Sequence, residues 1–168
     1  MIVAIDVHYR ESGAKVVAIG FADWTDADTG VVKTAWIDDI HAYIPGQFYK
    51  RELPCLLHIL AQFDLTTVTH IIVDGNVFLD DQEQPGLGKY LFDALDALIP
   101  VIGIAKTLYN GGNRHIETLR RGASRKPLYI SAIGMSLSGA IARIKQMHGN
   151  NRIPTLLKKL DRLTKSDE

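Results

Sequence analysis

Four residues far apart along the chain, Asp6, Glu52, Asp74 and Lys106, have the types and local settings to share one reactive site. Asp6 closes the short apolar run that starts at Ile2, Asp74 closes the β-branched run from Val68 to Val73, and Lys106 closes the small-residue run Gly103-Ile104-Ala105. If these runs are neighbouring strands with their carboxyl ends together, the two aspartates converge. Adjacent carboxylates repel and desolvate unless a cation bridges them, and oxygen-only donors suit Mg²⁺ or Mn²⁺. Glu52, in a helix-patterned segment, could turn over the sheet edge as a third ligand, and Lys106 could steady a phosphate or a developing anion. Singly, each has a plain alternative. Asp74-Gly75 is a common turn dipeptide, Glu52 could be an ordinary surface glutamate, and Lys106 could be the solvated end of a strand. The combination is what points to chemistry.

Just before Glu52, Tyr43-Ile44-Pro45-Gly46 reads as a rigid aromatic turn. Proline fixes the backbone, and the apolar neighbours could wedge into a base stack; the same turn could equally pack a tyrosine on the core. The six histidines show no ligand spacing on one helix, and Cys55 is the sole cysteine, which excludes an internal disulfide and a multi-cysteine zinc site. No Walker A segment, dinucleotide fingerprint or Gly-x-Ser-x-Gly elbow is present. Gly111-Gly112 could shape a phosphate-holding nest.

Periodicity supplies the elements that must position these residues. Ile2 to Asp6, Lys15 to Phe21 and Val31 to Ile37 read as three strands of a meander, separated by turn signals at Ser12-Gly13 and at Asp26 to Gly30. Phe48 to Phe63 switches to helical spacing, with Leu53, Leu56, Leu57 and Leu60 on one face. Val68 to Val73 reads as a buried strand, Gly88 to Leu98 as a helix and Pro100 to Ala105 as another buried strand. A polar loop and a hairpin of Ile116 to Arg121 with Leu128 to Ile133 follow. Ser136 suits a helix cap, and Pro154 suits the start of a last basic helix over Thr155 to Lys165. The expected fold class is α/β: one domain over 1–168, with a mixed sheet of a three-strand antiparallel meander plus parallel strands, flanked by helices. That order resembles ribonuclease H-like proteins.

The 168 residues are 46% hydrophobic and 23% charged, an ordinary globular composition. The net charge of zero hides a segregation. Residues 1–105 hold 6 Lys and Arg against 15 Asp and Glu, whereas residues 106–165 hold 13 against 2. Carboxylates in one region beside cations in another suit a metal-using enzyme acting on a polyanion, although a basic helix can also merely solvate its outer face. No run approaches the ~18 apolar residues of a membrane span. A soluble, cytoplasmic protein without a membrane partner is expected.

Together these segments resemble the endonuclease V family of nucleases. The matching stretches are AIDVHY at 4–9, YIPGQFYKRELPCLL at 43–57, IIVDGN at 71–76, PGLG at 85–88, IPVIGIAK at 99–106, PLYIS at 127–131 and RIPTLLKKLDRL at 152–163. They run in the family's order over nearly the whole chain. The resemblance implies a ribonuclease H-like fold and Mg²⁺-dependent hydrolysis of a phosphodiester in a strand containing deaminated adenine, that is inosine in DNA or RNA. It implies that Asp6, Glu52 and Asp74 hold the metal and that Lys106 is the lysine closing the family's corresponding strand. The Tyr43-Ile44-Pro45-Gly46 turn would be a strand-separating wedge, and Gly75 would contact substrate. Three departures are expected to mark a divergent, short member, the first being that the family's usual extension before the first strand is missing. The family's histidine after the PLYIS-like strand is replaced by Ala132-Ile133-Gly134-Met135, and its His-Pro-Arg stretch reads Asp81-Gln82-Glu83-Gln84-Pro85-Gly86.

The expected partner is nucleic acid, single-stranded or mismatched, held along its backbone by basic residues that include Arg120, Arg121, Arg125, Lys126, Lys158 and Lys159. Two other readings stay open. One is a catalytically weakened or inactive nucleic-acid-binding protein of the same fold. The other is a different ribonuclease H-like enzyme, such as a junction resolvase or a kinase-type phosphotransferase, although the kinase lacks its glycine-rich phosphate loop here.

Overall fold

The computed structural model describes residues 1–38 and 49–167. The apolar runs of the amino-terminal region fold as an antiparallel meander of β1 (Ile2–Arg10), β2 (Gly13–Phe21) and β3 (Val31–Asp38). Helix α1 (Tyr49–Leu60), strand β4 (His70–Asp74), helix α2 (Leu87–Ala94) and strand β5 (Val101–Ala105) follow, with β4 parallel to both β1 and β5. The hairpin of β6 (Glu117–Leu119) and β7 (Leu128–Ile133) adds to β5 through antiparallel pairing. Helices α3 (Leu137–Gln146) and α4 (Thr155–Lys165) close the chain, and the seven strands form one sheet in the order β3-β2-β1-β4-β5-β7-β6. This is the mixed sheet that the sequence predicts.

Side chains alternate across a sheet, so residue parity decides which helices each one meets. Ile2, Ala4, Val17, Ile19, Ile72, Ile102, Ile104 and Ile130 pack with Ile144 of α3 and with Leu156 and Leu160 of α4. Val3, Ile5, Val16, Ala18, Ile71, Val73 and Val101 pack on the opposite face with Leu56, Ile59 and Leu60 of α1 and with Leu87 and Leu91 of α2. Asp6 and Asp74 continue the parity of Ala4 and Ile72, and Lys106 that of Ile104, which directs all three toward the α4 side. The local signals at helix ends hold. The Ser136 hydroxyl accepts from the Gly139 N–H at 3.1 Å, and Pro154 is the cap residue of α4.

Several boundaries differ from the sequence expectation, and two of the differences have a clear cause. Asp6 sits in the middle of β1 rather than at its end: β1 pairs with β4 only as far as Ile5 and Val73, yet continues to Arg10 against β2. Asp6 therefore stands one residue beyond the end of the parallel pairing. The helix expected through Leu98 stops at Ala94, because the chain turns through positive φ at Asp96 (58°) and Ala97 (56°) before Ile99-Pro100 leads into β5. A residue preceding proline is driven out of helical geometry, so the chain must extend there. Among the described residues, no helix is long and apolar enough to cross a membrane.

Candidate active site

The carboxyl ends of β1, β4 and β5 open into a cleft walled on one side by α4, the place where open α/β sheets bind ligands. Its polar lining is Asp6, Asp74, Lys106 and Asp161, over an apolar floor that includes Ala4, Ile72, Ile104, Leu157 and Leu160. Asp74 is fixed by the turn that follows it. The Gly75 N–H donates to the Ile104 carbonyl at 3.0 Å, Gly75 takes a φ of 144° that glycine accepts freely, and the Val77 N–H donates to the Ser131 hydroxyl at 3.1 Å. Only glycine fits beneath this turn at position 103, where a Cβ would collide with the Gly75 carbonyl oxygen. Lys106 is exposed at the cleft edge, and its backbone is anchored by Arg152, whose guanidinium donates to the Lys106 carbonyl at 2.6 Å and to the Pro127 carbonyl at 2.7 Å.

Asp6 is partly buried, and one of its oxygens, Oδ2, lies 3.2 Å from the Thr164 hydroxyl of α4. Glu52 approaches from α1, on the opposite face of the sheet, and its charge is felt with those of the aspartates. Burial first, then the Asp74 charge and then that of Asp6, push Glu52 up to about 8, with Arg51 opposing. Burial, followed by the Asp6 charge, pushes Asp74 up to about 6 against the pull of Lys106. Burial also raises Asp6, with the nearby Asp161 adding to the effect, while the Val7 backbone, the Thr164 hydroxyl and Lys106 work the other way. Such mutual repulsion in a cleft is typical of functional clusters of acids.

Among the described residues, no three His, Cys, Asp or Glu side chains stand together as a ready-made cation cage. Their donor chemistry is nonetheless the kind that hard cations prefer. Asp6, Asp74 and Asp161 line the cleft with Lys106, Lys165 pairs with Asp161, and every candidate donor is a carboxylate oxygen. Asp6, Asp74, Asp161 and, from across the sheet, Glu52 are the oxygen donors that could hold a divalent ion of the Mg²⁺ or Mn²⁺ type.

Of the residues singled out from sequence, Asp6, Asp74 and Lys106 share the cleft, and Glu52 is coupled to the two aspartates through charge. Tyr43, Ile44, Pro45 and Gly46 lie outside the described residues. Gly75 forms the turn beside Asp74. Arg120, Arg125 and Lys126 are exposed. Arg121 is a correction: it is buried at 5% exposure, and its guanidinium donates to the carbonyls of Met147, Gly149 and Asn151 at 2.6, 3.0 and 2.6 Å. It knits the hairpin to the loop after α3 and is not free to hold a phosphate. Lys159 reaches the Thr29 hydroxyl at 3.4 Å, and Lys158 is exposed.

Two residues of the site escaped the sequence reading. Asp161 comes from α4, where its carboxylate also meets Lys165 at 2.9 Å, and Thr164 stands one turn further on. The available signal was that Asp161 is the sole acid of a helix otherwise rich in lysine and arginine. The acidic stretch after Asp74 has structural uses. Asp80 accepts the N–H groups of Gln82 and Gln84, each at 3.0 Å, Asp81 accepts the Arg114 N–H at 2.7 Å, and Glu83 lies 3.6 Å from both Arg114 and His115.

A family model described as endonuclease V matches residues 1–162. No curated protein matches the chain. Among solved structures, the catalytic domain of human endonuclease V superposes with a TM-score of 0.79 at 20% identity, over 97% of this chain and 80% of that one. Endonuclease V of Ciona intestinalis, solved with a 24mer DNA containing an inosine followed by a ribo-adenosine, gives 0.79 at 17% identity over 97% and 83%. A Marinitoga piezophila Argonaute shares the fold more distantly, with a TM-score of 0.54 at 8% identity over 99% of this chain and 30% of that one.

Proposed function

The chain belongs to the endonuclease V family and has its ribonuclease H-like fold, and from that premise we propose that it is a divalent-metal-dependent endonuclease acting on inosine-containing DNA or RNA, single strands being cut best. The observation that supports this most is the cleft at the carboxyl ends of parallel strands, which Asp6, Asp74, Lys106 and, from α4, Asp161 line together. The relative from Ciona is solved with inosine-containing DNA, which favours the same class of substrate here.

In this reading Asp6, Asp74, Asp161 and Glu52 hold the cation. When bound, Mg²⁺ or Mn²⁺ would offset the charge of the scissile phosphate and make water a better nucleophile. Glu52, whose proton affinity burial and the aspartate charges raise to about 8, would have to be ionised to serve as a ligand. Lys106 directs its ammonium at the phosphate or at the charge developing on it, with its backbone held by Arg152. The product keeps a 3′-hydroxyl. The Tyr43-Ile44-Pro45-Gly46 segment opens the stack, Gly75 borders the base, and exposed Arg120, Arg125 and Lys126 hold the backbone. The binding-only alternative leans on the missing histidine after β7, and it weakens where Asp161 adds an acid to the same cleft.

The test is cleavage of labelled single-stranded DNA and RNA, with and without inosine, in Mg²⁺, beside Asp74→Asn. Inosine-directed cutting that disappears in the variant is the expected result. Binding without cutting under Mg²⁺ or Mn²⁺ would favour the binding module, and cutting indifferent to inosine would remove the substrate assignment while keeping the nuclease.

A further inference from the structure

The carboxyl end of α4 is fastened to the sheet by an unusual pair of cations. Its cap residue is Ser166, whose carbonyl oxygen accepts from Arg10 Nη2 at 2.7 Å and from Lys15 Nζ at 3.0 Å, while the Ser166 hydroxyl lies 3.0 Å from the same ammonium. Arg10 is the last residue of β1, and Lys15 lies in β2 at only 7% exposure. Lysine is rarely buried, because desolvating an ammonium is costly unless hydrogen bonds replace its water. Both charges sit where the helix backbone presents its negative end, which favours them further.

The turn held this way carries Thr164, which is 1% exposed. Its hydroxyl lies 3.2 Å from Asp6 Oδ2 and 2.8 Å from the Asp161 backbone carbonyl. One hydroxyl thus links the backbone of one cleft acid to the side chain of another, and its single proton can go to either acceptor. Outer partners of this kind orient metal-binding groups and set how tightly they bind.

We propose that Thr164, held in place by the clamp of Arg10 and Lys15 on the end of α4, is a positioning residue that orients the Asp6 carboxylate beside Asp161 for a shared divalent cation. The inference rests on the metal-dependent reading above. Its test is calorimetric titration of the full chain with Mn²⁺, without nucleic acid, for wild type, Thr164→Val and Thr164→Ser, followed by cleavage kinetics. Thr164→Val keeps its far-ultraviolet circular dichroism but binds Mn²⁺ about tenfold more weakly or worse, and Thr164→Ser stays within about twofold of wild type. In cleavage, Thr164→Val loses kcat at low Mn²⁺ and recovers it as Mn²⁺ saturates, with KM for the oligonucleotide unchanged. A folded Thr164→Val with wild-type Mn²⁺ affinity overturns the positioning role and leaves the nuclease reading standing. A wild type that neither binds Mn²⁺ nor cuts overturns both. Should Thr164→Val not fold, Lys15→Met, which loosens the clamp and spares the hydroxyl, decides in its place: weaker Mn²⁺ binding supports the proposal, and unchanged binding overturns it.

Discussion

Among the acids whose charges interact at the site, burial and its aspartate neighbours push Glu52 from an ordinary 4.5 up to about 8. A folded-state value above the unfolded one means that the folded chain binds more protons over the interval between them, so stability falls as pH rises through it. The contribution of Glu52 is complete below 4.5 and is lost on the way to about 8, and Asp74 adds the same trend between 3.8 and about 6. In a chelator, the melting temperature is therefore expected to fall from about pH 5 to about pH 8, with Glu52→Gln flattening the upper part of the slope and added Mn²⁺ restoring most at the alkaline end. Calorimetry across that span checks it, and a melting temperature that rose with pH would remove the mutual repulsion on which the site's chemistry depends.

The elements around Asp74 leave little space for change. A Cβ on Gly103 of β5 would strike the Gly75 carbonyl oxygen and come 2.7 Å from the Ser131 hydroxyl that holds Val77. Gly103→Ala is expected to destabilise the fold by about 1–3 kcal/mol, measured by denaturant titration, and to reduce cleavage further than that loss explains, because the turn carrying Asp74 must shift. Elements of this kind were readable wherever their cause was local. β-branched runs gave the parallel strands, Leu56 and Leu60 gave the buried face of α1, and Ser136 gave the start of α3. What the chain does not announce locally was missed. The continuation of β1 past Asp6 depends on β2, and the early end of α2 depends on two residues with positive φ. The inward turn of Arg121 could have been suspected from parity, since Leu119 two residues earlier is buried. Nothing in the repeat of α4 distinguishes Asp161 as a cleft residue; the docking of the helix on β1 does that.

Across the whole molecule, the charge segregated along the chain divides between the cleft acids and exposed cations. The acids of the cleft come chiefly from the amino-terminal region, while exposed Arg120, Arg125 and Lys126 come from the basic one. If Arg125 and Lys126 each neutralise a phosphate, replacing both with alanine lowers the slope of log affinity for a single-stranded oligonucleotide against log salt by about 1.4, some 0.7 per contact. Binding measured over a salt series in chelator reads this directly, and an unchanged slope would move the strand to another face. Glu52 approaches from one layer of helices and Asp161 from the other, on segments far apart in order of synthesis. A nascent chain that has made the sheet but not yet α4 lacks part of its acidic set. On the metal-dependent reading, a ribosome-bound chain would hold an incomplete cation site until that final helix has emerged and docked.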